Sequence, residues 1–261
     1  MKHFLLFLVV KLLLSCDNDN SQMAAINTKS SEAVNVLNSE AINILKNKVI
    51  RRNPTESTHP LANYFYPYSV SPQFYLYRDV ANGLEEEFHR VYSLKDQEGQ
   101  HIIVERYTSD GRILEALNYN VDSLDVQDHM VVNFKQEKTK AKLYKTKLFP
   151  LNKENQTWFA TKFQGINDST LFLKELKRNL VSQNVLKEIM EKESSCLEFH
   201  DIIRQTLLNP FTKKENMIEA EQISYFAEGI GLVEWHSLDK KVHFRLEQIL
   251  NQDEWLKIIS H

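Results

Sequence analysis

The spacing of short apolar runs and turn residues beyond residue 60 constrains the fold most strongly. Turn-forming residues occur at Asn82-Gly83, Asp96–Gly99 and Ser109–Gly111. Because a parallel crossover needs a dozen or more residues, connections this short predict an antiparallel meander. The strands are predicted where aromatic and β-branched residues cluster: Tyr75–Tyr77, Phe88–Leu94, His101–Tyr107, Ile113–Tyr119, Met130–Phe134, Lys142–Phe149 and Trp158–Phe163.

The C-terminal part of the chain continues this texture. Three further apolar runs cover residues 196–208, 222–236 and 242–250, and the charged segment Lys187–Glu193 predicts a short helical piece between them and the earlier strands. A terminal helix is predicted over 251–259, with Asn251 as its cap, Glu254 completing a capping box, and Trp255 and Ile258 turned inward.

Two glycines interrupt the apolar run Tyr225–Trp235, which reads YFAEGIGLVEW, in a chain that has only 6 glycines. Glycine within a strand marks a bulge or a bend, so Gly229 and Gly231 predict a structural bend with a positive φ at one of them. The segment is similar to one found in β-rich exported proteins related to the half-barrels of lipoprotein carriers. The predicted fold is therefore mainly β, an antiparallel meander forming one strongly curved sheet or half-barrel, with one N-terminal and one or two short helices.

The first residues have the pattern of an export signal. Lys2 precedes the apolar run Phe4–Leu14, which is too short to span a bilayer as a helix. The run closes in Leu13-Leu14-Ser15-Cys16, which resembles the lipobox of bacterial lipoproteins. The resemblance implies cleavage before Cys16 and acylation of its thiol, for example with palmitate, so that the partner of this end is a lipid bilayer. The predicted division is a signal peptide over 1–15, a lipidated polar tether over 16–58, helical near 31–51, and a β domain over 59–261.

Acidic residues follow the predicted lipidation site directly. Asp17 and Asp19 resemble the acidic address that directs some Gram-negative lipoproteins to the cell surface, although Asn18 and Asn20 interrupt the acids. A solvated spacer explains the same residues equally well. The expected location is the outer membrane or cell surface, with a periplasm-facing position as the alternative.

Composition and motifs exclude several functions. The net charge of −3 gives no basic footprint for nucleic acid. Cys196 would be the only thiol left after lipidation of Cys16, so the core holds together without a disulfide. The sequence contains no G-x-S-x-G, H-E-x-x-H or P-loop motif. We therefore expect neither a catalytic site nor a cofactor.

Two patterns of charged residues suggest weaker hypotheses, a metal site and an anion-binding face. Glu198 and His200 share a strand face, as do Glu234 and His236, and with His243 they offer divalent-metal ligands if the strands converge. Exposed strand faces carry such residues routinely, so no metal site is predicted. Between residues 135 and 147, closely spaced lysines favour protection of a sheet edge over an anion-binding face; they are Lys135, Lys138, Lys140, Lys142, Lys145 and Lys147.

Two function classes remain open. One is a binding module in which the curved sheet closes a concave apolar face around a hydrophobic ligand, a lipid or a glycan. The other is a structural or interaction subunit at the cell surface whose outer face binds a partner protein. A large apolar cavity would favour the first, and a filled core with an exposed apolar patch would favour the second.

Overall fold

Strands dominate the computed structural model of the protein, which describes residues 57–83, 85–133, 137–164 and 170–259. The strands are β1 (Gln73–Asp79), β2 (Glu86–Lys95), β3 (Gln100–Thr108), β4 (Ile113–Asn120), β5 (Val126–Val132), β6 (Lys138–Lys140), β7 (Lys142–Thr146), β8 (Thr157–Gln164), β9 (Leu171–Ile189), β10 (Lys192–Leu208), β11 (Glu215–Ala227), β12 (Gly231–Ser237) and β13 (His243–Leu250). A 3-10 turn, Ala62–Tyr64, precedes them, and the helix α1 (Gln252–Ile259) ends the described chain.

All these strands belong to one antiparallel sheet in the order β6-β5-β4-β3-β2-β1-β13-β12-β11-β10-β9-β8-β7. Neighbours in the sheet are neighbours in the chain at every step except one, where β1 pairs with β13. The mainly β fold class and the meander are therefore confirmed. Short turns are the physical reason, because they allow only antiparallel pairing.

The sheet curls until its two end strands meet. β6 pairs with β5, and after Ala141 the chain continues as β7, which pairs with β8 on the opposite side. The backbone N–H of Ala141 donates to the carbonyl of His129, and an isolated bridge joins Asp125 to Lys147. The segment 138–147 thus forms a seam that nearly closes the sheet. Lys138, Lys140, Lys142 and Lys145 lie on the terminal strands β6 and β7, as the edge interpretation predicted, whereas Lys147 follows β7 and Lys135 lies outside the described residues.

Aromatic side chains fill the interior. Phe65 lies edge-on against Tyr66, Tyr119 and Phe149, with ring centroids 4.9–5.3 Å apart. Phe149 in turn contacts Phe199 at 5.3 Å. Each of these rings is buried, so the interior is a packed core, and burial of aromatic surface is its main source of stability.

A second, smaller core lies on the outer face of β1, β2 and β13 beneath helix α1. Trp255 stacks on Phe74 with a centroid distance of 4.3 Å. The Asn251 side chain accepts from the N–H of Asp253 and of Glu254, and the Glu254 carboxylate accepts from the N–H of Asn251. The predicted capping box and the inward Trp255 are confirmed. The inward position of Ile258 is wrong, because this residue is 39% exposed.

The segment predicted as helical, Lys187–Glu193, is a β-hairpin. It contains the end of β9 and the start of β10, and the chain reverses at Met190 and Glu191, which have φ of +48° and +65°. Positive φ at both central residues gives the turn that best matches strand twist. Cross-strand pairing over sixteen residues of the β9–β10 register outweighs the helical preference of the sequence KEIMEKE.

The run 222–236 is also divided rather than continuous. β11 ends at Ala227, the chain turns through residues 228–230, and β12 begins at Gly231. Gly229 and Gly231 have φ of +72° and +103°. The interpretation of one bent strand is therefore wrong: both glycines have positive φ, but they serve a reversal of the chain between two paired strands.

Candidate functional site

A series of hydrogen-bonded polar side chains crosses the interior of the curled sheet. It begins at Tyr66, whose hydroxyl lies 3.1 Å from Nδ1 of His89. Nε2 of the same ring lies 2.6 Å from a carboxylate oxygen of Glu87. A carboxylate only accepts, so Nε2 carries the proton and Nδ1 accepts the hydrogen bond of the Tyr66 hydroxyl. Strand β2 presents Glu87 and His89 on one face because they are two residues apart.

Arg106 of β3 extends this series of side chains from Glu87 of β2 to Glu115 of β4. The Arg106 guanidinium donates two bonds of 2.8 Å to Glu87 and one of 2.6 Å to Glu115. Glu115 also accepts from Lys174 of β9 at 2.8 Å and from Nε2 of His129 at 3.0 Å. We call Glu87, His89, Arg106, Glu115, His129 and Lys174 the polar network.

Charge balance keeps the carboxylates of the polar network ionised. Burial alone would raise the pKa of Glu87, but the Arg106 guanidinium and the His89 imidazole outweigh it and lower the pKa to about 2. The pKa of Glu115 is likewise held well below its usual range, because Lys174 and Arg106 outweigh the effect of burial. Burial lowers the pKa of His89, which keeps this imidazole neutral at neutral pH.

Thr161, His129 and Glu115 have the composition of a catalytic triad, with a hydroxyl, an imidazole and a carboxylate in series. The Thr161 hydroxyl lies 3.1 Å from Nδ1 of His129, whose Nε2 bonds Glu115. Thr161 and His129 are both fully buried, so no substrate reaches the hydroxyl. These residues join β5 to β8 across the seam, and their geometry supports a structural role.

A second buried ion pair lies deeper, among the core aromatics. Arg178 of β9 donates to both carboxylate oxygens of Asp201, at 2.7 and 2.8 Å. Its guanidinium carbon lies 4.9 Å from the ring centroids of Phe199 and Phe226. A bidentate pair over aromatic faces satisfies a charge that burial would otherwise penalise. Both ion-pair clusters therefore organise the interior.

Beyond the polar network the inner face of β8–β11 continues past the filled core. Its apolar side chains are half-buried, and the register places Phe163 opposite Phe172, Phe172 opposite Leu207, and Leu176 opposite Ile203. Ile218 of β11 lies opposite Gln205 on the same face. We call Phe163, Phe172, Leu176, Ile203, Leu207 and Ile218 the apron. It adjoins Lys174, whose side chain is 24% exposed.

The turn at the free end of the apron contains Phe211, the most exposed aromatic residue in the described part of the chain. Phe211, in the turn between β10 and β11, is 79% exposed. Apolar residues that face water in this number mark interaction sites, while single exposed residues need no explanation. This turn directly connects two strands of the apron, β10 and β11, so the apron and the turn are taken together as the candidate surface.

A groove of 290 Å³ lies on the outer face of β2–β6, with Tyr92, Ile103, Ala116 and Met130 in its lining. Ile103 points outward because its neighbours Ile102 and Val104 belong to the core on the other face. This cavity is therefore outside the curled sheet rather than within it. It offers no enclosed space for a lipid.

The residues that the sequence offered as candidate metal ligands converge only in part. Glu234 lies beside His243 at 3.0 Å and Lys187 at 2.8 Å, and His236 pairs with His243 across β12 and β13. His200 bonds Glu221 instead, at 2.7 Å, and Glu198 lies opposite Tyr225. Within residues 57–259, as far as they are described, no group of three or more His, Cys, Asp or Glu is arranged to hold a metal ion. Lys187 forms an ion pair with the Glu234 carboxylate, which a metal ion would need as a ligand.

Several predicted residues lie outside the described part of the chain. They are Cys16, Asp17 and Asp19, together with the signal peptide and the helix near 31–51, and they stay predictions. Among the described helices, none is long and apolar enough to cross a membrane. The remaining thiol, Cys196, is buried, and burial raises its pKa to about 11, which makes it unreactive.

Neither the protein-family models nor the curated proteins include a match to this sequence. Two solved structures are similar in fold. One is a protein from Parabacteroides distasonis ATCC 8503 that is provisionally described as a lipoprotein; it has a TM-score of 0.46, 13% identity, and alignment over 75% of this chain and 100% of its own. The other is from Bacteroides fragilis NCTC 9343, provisionally described as an exported protein with a YmcC-like fold; it has a TM-score of 0.37, 13% identity, and alignment over 72% and 99% of the two chains.

Proposed function

We propose that the protein is a lipid-anchored bacterial envelope protein whose folded part is an interaction module that binds a partner protein through the apron. The observation that carries the proposal is the half-buried apolar inner face of β8–β11, which continues past a filled core and ends at the exposed Phe211. In the part of the chain that the structure describes, buried aromatic rings such as Phe65, Phe149 and Phe199 pack against one another where a carrier would need space for a lipid.

The form of the apron suits a protein partner. It is an extended sheet surface with aromatic and aliphatic residues at its centre, and polar groups such as Lys174 and Gln205 lie among them. Interfaces combine an apolar centre with polar groups at the edge and are enriched in aromatic residues and methionine. Aromatic anchors such as Phe172 and Phe211 would carry most of the binding energy.

The anchor is tested by Cys16→Ser, with Cys196→Ser as the matched control. Cells labelled with radioactive palmitate should incorporate label into the parent and the Cys196 variant and not into the Cys16 variant. A high-salt wash should also release the mature Cys16 variant from the membrane fraction, whereas the acylated parent should stay bound. Retention of both label and membrane partition by the Cys16 variant would overturn the lipoprotein assignment.

The interaction surface is tested by placing a photo-crosslinking amino acid at Leu207 or Ile218 in the intact envelope. Leu238 and Val80 are exposed apolar positions elsewhere, at 56% and 49% exposure, and serve as controls. We expect one discrete protein adduct from the apron positions alone, lost when Phe211→Ser is added. An adduct of lipid mass, an adduct between two copies of this chain, or equal labelling at the control positions would contradict a separate protein partner.

A further inference from the structure

A surface of different chemistry covers the outer face of β7, β8 and β9. Strand β7 contributes Lys142, Tyr144 and Lys145, and its neighbours contribute Trp158, Lys162 and Lys177. The register places Lys142 opposite Lys162 and Trp158 opposite Lys177. The opposite face of β8 holds Phe159 and Thr161 of the interior, so these side chains point outward. We call these six residues the lysine–aromatic face.

Within the described residues, the lysines of this face have no acidic partner. Lys140 and Lys147, at its border, pair with Asp128 at 2.7 Å and Asp125 at 3.1 Å. Among the described residues, Lys142, Lys145, Lys162 and Lys177 form no ion pair, and Glu175 is the acid that shares their face. Like charges directly opposite in a sheet are destabilising. The whole chain has a net charge of −3, so the positive charge of this face is local and does not reflect a basic composition.

Edge protection accounts for only part of the pattern. It explains lysines on β7, which is a terminal strand, but β8 and β9 are paired on both sides. Protection also does not require exposed aromatic rings, whereas Tyr144 is 50% exposed and Trp158 is 39% exposed. The combination of lysines and aromatic rings across three strands therefore has another cause.

The aromatic rings and the ammonium groups are held together. The ammonium nitrogens of Lys145 and Lys177 lie 5.0 and 5.4 Å from the ring centroid of Trp158, and that of Lys142 lies 5.2 Å from the ring of Tyr144. These are cation–π distances. A sugar ring that stacked on Trp158 would have to displace these ammonium groups, so the arrangement disfavours a glycan.

We propose that the lysine–aromatic face docks onto an anionic phospholipid surface. Tryptophan and tyrosine prefer the membrane–water interface, and lysines near the surface are attracted by anionic headgroups. Docking would hold the folded part against the membrane in a fixed orientation. The inference does not depend on acylation of Cys16 or on a partner at the apron, since it concerns the described surface alone.

Vesicle sedimentation tests this proposal with the polypeptide from Asp17 onward, made without acyl groups, which retains every described residue. Binding is compared on phosphatidylcholine vesicles with and without phosphatidylglycerol. We expect binding only when phosphatidylglycerol is present and a decrease as salt is raised. Each lysine near the surface contributes about fivefold, so K142Q/K145Q should weaken partition about 30-fold. Trp158→Ala should weaken it further.

The matched control is K192Q/K214Q, which removes the same charge from two exposed lysines elsewhere on the surface and should leave partition unchanged. Thermal unfolding of each variant verifies that the fold is retained. The proposal is overturned if the two vesicle types bind equally, if the control pair has the same effect as K142Q/K145Q, or if the protein binds soluble polygalacturonate and not the anionic vesicles.

Discussion

Gly231 is the position where a single added methyl group should cost the most stability. Its φ of +103° lies outside the conformations that side chains favour, and an added Cβ would lie 2.5 Å from Cδ1 and 2.9 Å from Cε1 of the Tyr66 ring. Backbone strain contributes about 1–2 kcal/mol. The Tyr66 ring is buried and cannot move freely, so overpacking adds about 1–3 kcal/mol. We expect Gly231→Ala to destabilise the protein by about 2–5 kcal/mol.

Gly229 is the matched comparison within the same turn. Its φ is +72°, but an added Cβ would meet nothing within 4 Å, so Gly229→Ala should cost only about 1–2 kcal/mol of backbone strain. Urea unfolding of the two variants measures the difference directly, and thermal unfolding should separate their midpoints by about 2–10 °C for a domain of this size.

The clash with Tyr66 is isolated by a double-mutant cycle. In a Tyr66→Ala background, which removes the ring, Gly231→Ala should cost little more than Gly229→Ala does. Equal destabilisation by the two glycine variants in the parent, or an unchanged cost of Gly231→Ala without the Tyr66 ring, would refute the steric argument.

Three further predictions follow from the same structure and sequence. The folded-state pKa of Glu87 is lowered to about 2 from 4.5, so the stabilisation by its carboxylate is complete above pH 4.5 and is lost as pH falls toward 2. The pKa of His89 is also lowered, so protonation of this imidazole below pH 6.5 favours unfolding as well. Urea unfolding across this range should therefore show Glu87→Gln to be less stable at neutral pH, by at least ~2 kcal/mol, and less sensitive to acid. Trp255→Ala removes the ring that stacks on Phe74 and should cost about 3–5 kcal/mol, measured by thermal unfolding, whereas Ile258→Ala should cost under ~1 kcal/mol. Replacing Asp17 and Asp19 by alanine should protect the folded part from protease added to intact cells; unchanged digestion would identify the two acids as a spacer.

The sheet could be predicted from the sequence where turn chemistry is explicit. Asn82-Gly83 and Ser109–Gly111 contain residues that tolerate the required backbone angles, and Gly83 and Gly111 have positive φ in the structure. The β9–β10 turn could not be predicted in this way, because Met190 and Glu191 are not turn-forming residues. The strand Leu171–Ile189 also contains the helix-favouring sequence LFLKELKRNL, and its pairing with two neighbouring strands overrides that preference.

The polar network was missed for a related reason. Glu87 and His89, like Glu198 and His200, form an alternating polar pattern that normally indicates a solvent-exposed strand face. In β2 both faces are buried, because α1 and the outer core cover Phe88 while the curled sheet encloses Glu87 and His89. The same spacing on β10 places His200 on the outer face of the sheet, where its side chain is 29% exposed. Only the curvature of the sheet distinguishes the two cases, and the sequence pattern does not encode which strands face each other across the interior.

The location of the polar network beside the seam gives its charged side chains a structural role. Backbone pairing across the seam is incomplete, since β6 pairs with β5 while β7 pairs with β8. Side chains link the two sides at that point, through His129 with Thr161 and Glu115 with Lys174. Apolar side chains would close the same gap without fixing its register, whereas paired hydrogen bonds specify one arrangement. The network therefore fixes the register in which the two ends of the nearly closed sheet meet.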